Sequence, residues 1–146
     1  MHFAIPRIFC GEIEAVVDAV MTTGKQRVLV VEDNDDTREA LAAMLELWNL
    51  EVDAVSDGEQ ALMLARNNSY SAVLVDLSIP EPGGYAVARQ LRTPSRAPTL
   101  IAVTGRSGTM AKQMAFDAGF DHFLTKPVDL HHLSQLLKSG GIKTAD

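Results

Sequence analysis

The sequence predicts an α/β fold, a doubly wound parallel sheet with helices on both faces. Three observations carry that prediction. From Arg27 onward, five short apolar runs alternate with five stretches of helical periodicity. The first, third and fourth runs contain no polar residue, as parallel strands buried between two helix layers require. Turn and cap residues separate the runs at regular intervals.

Each element has its own signal. Val28-Leu29-Val30-Val31 is a mostly β-branched run and reads as the first strand. Leu41, Met44, Leu45 and Trp48 then fall at i, i+3, i+4 and i+7, one face of a helix, with Asn49 as a left-handed stop. Val52 to Val55 forms a short second strand. Ser56-Asp57-Gly58-Glu59 reads as a capping box, Ser56 at the N-cap and Glu59 at N3, opening a helix to about Asn67. Ala72-Val73-Leu74-Val75 is the third strand. Pro80-Glu81-Pro82-Gly83-Gly84 leads into a helix with Val87 and Leu91 on one face, and Thr93 to Pro98 is a loop. Leu100-Ile101-Ala102-Val103 is the fourth strand. A helix carrying Met110 and Met114, both expected in the core with a partner-facing position as the alternative, runs to Gly119. His122-Phe123-Leu124 is the fifth strand. Leu130, Leu133 and Leu137 mark a last helix, with Asp129 as its cap and His131-His132 facing solvent.

The chain of 146 residues has room for about one domain. It divides into an extension (1–26), a domain (27–138) and a short tail (139–146). In the extension Ile13, Val16, Val17, Val20 and Met21 share one face, so the spacing predicts a helix over 12–21. That helix reads as a flanking extension; a dimerisation helix or the tail of a preceding domain are the alternatives. The net charge of −6 argues against gripping nucleic acid by bulk electrostatics. No apolar run is long enough to span a membrane, and acidic residues interrupt the N-terminal one. A single Cys10 rules out an internal disulfide or multi-cysteine zinc site and suits a reducing, cytoplasmic setting.

Ligands of open α/β sheets bind beyond the carboxyl ends of the strands. The first strand delivers Glu32 and Asp33, the third Asp76, the fourth Thr104, and the fifth Lys126 followed by Pro127. Three carboxylates gathered at one edge repel unless something positive neutralises them. Hard oxygen ligands without cysteine or paired histidine suit Mg²⁺. An ammonium, a hydroxyl and a metal are the parts that hold the oxygens of a transferring phosphoryl group, and a carboxylate can be the nucleophile. The set reads as an aspartate that accepts phosphate.

Val-Leu-Val-Val-Glu-Asp-Asn (28–34), Val-Leu-Val-Asp-Leu-Ser-Ile-Pro (73–80) with Gly84, Val-Thr-Gly (103–105) and Leu-Thr-Lys-Pro (124–127) resemble the receiver domain of two-component response regulators and hybrid histidine kinases. The resemblance implies a flavodoxin-like sheet of order 2-1-3-4-5. It implies Asp76 as phosphoacceptor, and Mg²⁺ held by Glu32, Asp33, Asp76 and the backbone carbonyl of Ser78. Thr104 and Lys126 would contact the phosphoryl group. Thr104 and Phe123 would form the switch, and Lys126-Pro127 would be a cis peptide. The partners implied are a sensor histidine kinase or histidine phosphotransfer protein as donor and a downstream protein target, with homodimerisation open. The chain would act as a signalling domain of a phosphorelay, catalysing only its own phosphorylation and dephosphorylation. Glu32 departs from the commoner aspartate, Gly83 stands where an aspartate often does, and Ser78 and Arg106 sit where side chains influence attacking water. The rival reading is a receiver-like interaction module that works without phosphorylation. A phosphatase with an aspartate nucleophile would need a second carboxylate where Ser78 stands. With nine residues after Leu137, the readings are a stand-alone receiver or one excised from a hybrid kinase, and Met1 at the start makes the stand-alone receiver the expectation.

Overall fold

β-Branched and leucine-rich runs that can be buried on both faces become the strands, and the periodic stretches between them become the covering helices. The computed structural model describes residues 26–92, 98–106 and 108–144. Its strands are β1 (Arg27–Val31), β2 (Glu51–Val55), β3 (Ala72–Asp76), β4 (Thr99–Thr104) and β5 (His122–Thr125). The helices that follow them are α1 (Asp35–Leu47), α2 (Gly58–Asn67), α3 (Gly83–Leu91), α4 (Thr109–Ala118) and α5 (Leu130–Ser139). All pairings are parallel, and the order is β2-β1-β3-β4-β5 as expected. The strand order reverses between β1 and β3, which opens the crevice where such sheets bind ligands. The predicted helix over 12–21 and Cys10 lie outside the described residues, as do residues 93–97 of the Thr93 to Pro98 loop.

Strand periodicity sorts the core into two layers. Val28, Val30, Leu74, Ile101 and Val103 face α1 and α5, where Leu41, Leu45, Leu133 and Leu137 meet them. Leu29, Val31, Val73, Val75, Leu100 and Ala102 face the other way, onto Ala61, Val87, Ala88, Ala115 and Ala118. Each fully buried aliphatic side chain stabilises by about 1.5–3 kcal/mol. These two layers fix the strand ends that carry the polar residues.

The caps follow the sequence with one shift. Asn34 caps α1 by accepting from the Thr37 N–H at 2.9 Å. Asn49 takes the left-handed conformation beyond α1, with φ of 67°. Asp129 caps α5 through the His132 N–H. The expected cap Ser56 does not cap α2. Asp57 does, accepting from the Gln60 N–H at 2.9 Å, while Gln60 Nε2 reaches back to the second carboxylate oxygen. A carboxylate serves both donors at once, which a serine hydroxyl one residue earlier could not. The box therefore closes between Asp57 and Gln60.

A second expectation fails on α4. Met110 and Met114 are 78% and 48% exposed, and the helix buries Ala115 and Ala118 instead. The i, i+4 spacing identifies a face but not its direction. Small alanines let α4 lie close to the sheet, and the methionines turn outward. Trp48 is buried, and His131 and His132 are exposed, as expected.

Gly84 shows how closely the core approaches the β3 end. A Cβ there would lie 3.0 Å from the Leu77 Cα and 3.2 Å from the Asp76 carbonyl oxygen. Backbone cannot yield as a side chain can, so Gly84→Ala is expected to lower stability by about 1–3 kcal/mol. Urea unfolding followed by circular dichroism measures this, and an unchanged midpoint would show that the turn after β3 relaxes freely.

Candidate functional site

The register places Glu32 and Asp33 just past β1, Asp76 at the last position of β3, Thr104 at the last position of β4, and Lys126 one residue past β5. Parallel pairing brings all five to one rim. Three of them are buried polar residues: Glu32 and Asp76 are each 2% exposed and Thr104 is 5% exposed. Asp33 is exposed.

Lys126 organises the group. Its Nζ lies 2.8 Å from Glu32 Oε1 and 2.8 Å from Asp76 Oδ2. The other oxygen of Asp76 accepts from the Ser78 N–H at 2.8 Å and the Ser78 hydroxyl at 2.7 Å. Glu32 Oε2 accepts from the Asn34 N–H at 3.3 Å. The Glu32 N–H donates to the Val55 carbonyl, and its own carbonyl accepts from Arg38 at 3.0 Å. Thr104 Oγ1 accepts from the Arg106 N–H at 3.1 Å, while its carbonyl accepts from the Lys126 N–H at 2.7 Å. Lys126-Pro127 is cis, as the resemblance implied, and Glu81-Pro82 is a second cis bond that the sequence did not announce. Phe123 is half-buried against the layer beneath α2, α3 and α4.

The electrostatics follow from burial. Loss of solvent raises the Glu32 carboxyl to about 7, and its contact with Asp76 adds to the shift while Lys126 opposes it. Burial pushes Asp76 the same way, but hydrogen bonds from Glu32, Lys126 and Ser78 win and hold it at about 2. Burial would lower Lys126, and its contacts with Asp76 and Glu32 raise it instead. Glu32 thus keeps its proton to higher pH than a free glutamic acid does, while Asp76 is ionised beside it.

The donor set fits a divalent cation. Carboxylate oxygens of Glu32, Asp33 and Asp76 all lie within 4.8 Å of one another. All three are hard oxygen donors, the chemistry of Mg²⁺ rather than of zinc or copper. Two of the carboxylates share the single Lys126 ammonium, so the site already depends on a positive charge.

With fold and rim geometry in place, comparison with known proteins is decisive. The family model of the response regulator receiver domain matches residues 28–138. The chain belongs to that family. Among curated relatives, the response regulator ArlR of Staphylococcus saprophyticus is 34% identical over 107 residues, covering 73% of this chain and 48% of that protein. The response regulator MprA of a Mycobacterium species is 36% identical over 107 residues, covering 73% and 46%. The chain spans about half the length of the curated relatives it matches. Among solved structures, the CheY-like response regulator receiver domain from Methylobacillus flagellatus superposes with a TM-score of 0.68 at 30% identity, covering 80% of this chain and 98% of that one. The receiver domain of Saccharomyces cerevisiae Ssk1, crystallised with the histidine phosphotransfer protein Ypd1, gives 0.73 at 26% identity over 81% and 90%. The protein therefore carries a receiver domain of two-component response regulators, a signalling domain. Among the described residues no helix is long and apolar enough to cross a membrane.

Glu32, Asp33, Asp76, Thr104 and Lys126 lie together at the rim. The sequence reading missed the Ser78 hydroxyl on Asp76 and the Arg38 guanidinium on the Glu32 carbonyl. Arg38 lies one α-helical turn past Asn34, and a basic residue at that distance from an acidic strand end was the available signal.

The Glu32 shift has a direct consequence for stability. Its folded value of about 7 exceeds the ordinary 4.5, so the folded chain keeps a proton that the unfolded chain loses between those values. That contribution is full below about pH 4.5 and is lost as pH rises to about 7. Asp76 works oppositely: held at about 2 rather than 3.8, it stabilises above about pH 4, an effect lost as pH falls through 2. In metal-free protein, Glu32→Gln is expected to be more stable than wild type at pH 8 by about 1–3 kcal/mol. Urea titrations in chelator from pH 5 to 8 test this. Parallel pH curves for the two proteins would contradict it.

Proposed function

We propose that this receiver domain takes a phosphoryl group from the phosphohistidine of a sensor histidine kinase or histidine phosphotransfer protein onto Asp76. The observation that carries the reading is a buried carboxylate at the end of β3 with a lysine ammonium 2.8 Å away and two further carboxylates beside it. An Asp76 oxygen attacks phosphorus, and the phosphorus–nitrogen bond breaks. The imidazole leaves with the bonding pair and takes a proton. The acyl phosphate that results later loses its phosphoryl group to water in this same pocket.

Glu32, Asp33 and Asp76, with the Ser78 carbonyl, are the residues that would hold Mg²⁺. Bound Mg²⁺ supplies positive charge opposite the transferring oxygens. Lys126 keeps Asp76 ionised, hence nucleophilic, and its flexible stem lets the ammonium follow a phosphoryl oxygen. Thr104, buried beside it, offers a hydroxyl donor. Movement of Thr104 toward the new dianion leaves space that half-buried Phe123 can fill, which biases the surface of α4, β5 and α5. The sites and both states are named residues, as an allosteric claim requires.

The histidine-bearing partner is supported by the yeast receiver domain solved with its phosphotransfer protein. A downstream protein target, homodimerisation, a cytoplasmic setting and the division at 27–138 belong to the same proposal. Turnover on external phosphate esters does not, because Ser78 occupies the place of a second catalytic carboxylate and donates to Asp76.

Treatment with a small phosphoryl donor and Mg²⁺, followed by intact mass, is expected to add one phosphoryl group to wild type and none to Asp76→Asn. Equal gain by both would overturn the site assignment, and no gain by wild type, with no binding of a phosphoryl-mimicking fluoride, would favour an interaction module that needs no phosphorylation. Lys126→Ala is expected to retain Mg²⁺ binding yet lose the change in partner binding after donor treatment. Normal switching by that variant, read by partner pull-down or chemical-shift change, would count against the mechanism.

A further inference from the structure

The Glu32 carbonyl lies one residue beyond the end of the β ladder. Register pairs Val31 with Val55 and with Val75, and no strand partner is paired with Glu32. Glu32 is buried, so its carbonyl needs a donor from elsewhere. Arg38 supplies it: Nη1 donates to the Glu32 carbonyl at 3.0 Å, and Nη2 donates to Asp35 Oδ1 at 2.5 Å. The guanidinium fork thus spans the loop between β1 and α1 from its first residue to the first turn of α1. On the other side the Glu32 N–H is held by the Val55 carbonyl at 3.0 Å. The backbone of Glu32 is therefore gripped at both polar atoms.

From this geometry we infer that Arg38 is a positioning residue for the divalent cation. It fixes the peptide plane between Glu32 and Asp33, and with it the directions in which both carboxylates leave the backbone. The inference rests on the reading that Glu32 and Asp33 hold Mg²⁺. Charge alone would give Arg38 the opposite effect. A guanidinium near three carboxylates repels a dication, so removing it should tighten binding if orientation did not matter. The sign of the change separates the two roles.

The test is calorimetric titration of the full chain with Mg²⁺. Arg38→Ala is expected to weaken binding about tenfold, as loss of a residue that orients metal ligands does. Alanine favours the helix, and Arg38→Met, which keeps an apolar stem and removes the donors, is the paired variant if packing suffers. A second readout needs no metal: the Asp33 amide nitrogen, which shares the peptide with the Glu32 carbonyl, should change its NMR shift in both variants. Unchanged or tighter Mg²⁺ affinity in a folded variant overturns the positioning role. Wild type that binds no Mg²⁺ overturns the metal reading itself, a result distinct from wild type and variants binding alike.

Discussion

A single ammonium between two buried carboxylates is the interaction on which the structure turns. Lys126 donates 2.8 Å bonds to Glu32 and Asp76, and without it two acids would face each other in an apolar crevice. Such an arrangement is unfavourable for folding, since buried like charges drive a proton onto one partner. It persists because five parallel strands all end at the same rim. β1 and β3 are neighbours, while β5 lies two strands beyond β3. A long, flexible side chain is required to bridge that width. Lysine has the reach and the compact charge, where arginine's planar fork would fix both bonds rigidly.

The contacts that hold Asp76 also keep it ionised. Its carboxylate keeps a full negative charge despite near-complete burial, and Ser78 and Lys126 hold its two oxygens in known directions. Stability and reactivity pull against each other here, as is common where a site concentrates charge. The apolar layers above and below the sheet offset the strain. They are made of small and branched side chains whose packing leaves the strand ends little freedom.

Much of this was legible in the sequence because period and position coincide in a parallel sheet. Alternating apolar runs located the strands, and the one or two residues after each run were automatically rim residues. Glu32, Asp33, Asp76, Thr104 and Lys126 were found that way. What local pattern could not settle was direction and competition. Met110 and Met114 share a face, but only the closeness of Ala115 and Ala118 to the sheet decides that this face looks outward. Ser56 and Asp57 are both good caps, and the bidentate fit of Asp57 to Gln60 decides between them. Arg38 escaped because its partner is a backbone carbonyl, so only its spacing from the acidic strand end pointed to it.

The opposite edge of the sheet has its own lesson. Gln26, just before β1, hydrogen-bonds through its side chain to the Gly141 carbonyl and the Lys143 N–H beyond α5. Both ends of the domain are thus stitched together about one strand length, roughly 17 Å, from the acidic rim. The described residues therefore begin and end at the floor of the molecule. The two poles of the fold are thus divided in labour, one closing the chain on itself and the other gathering charge.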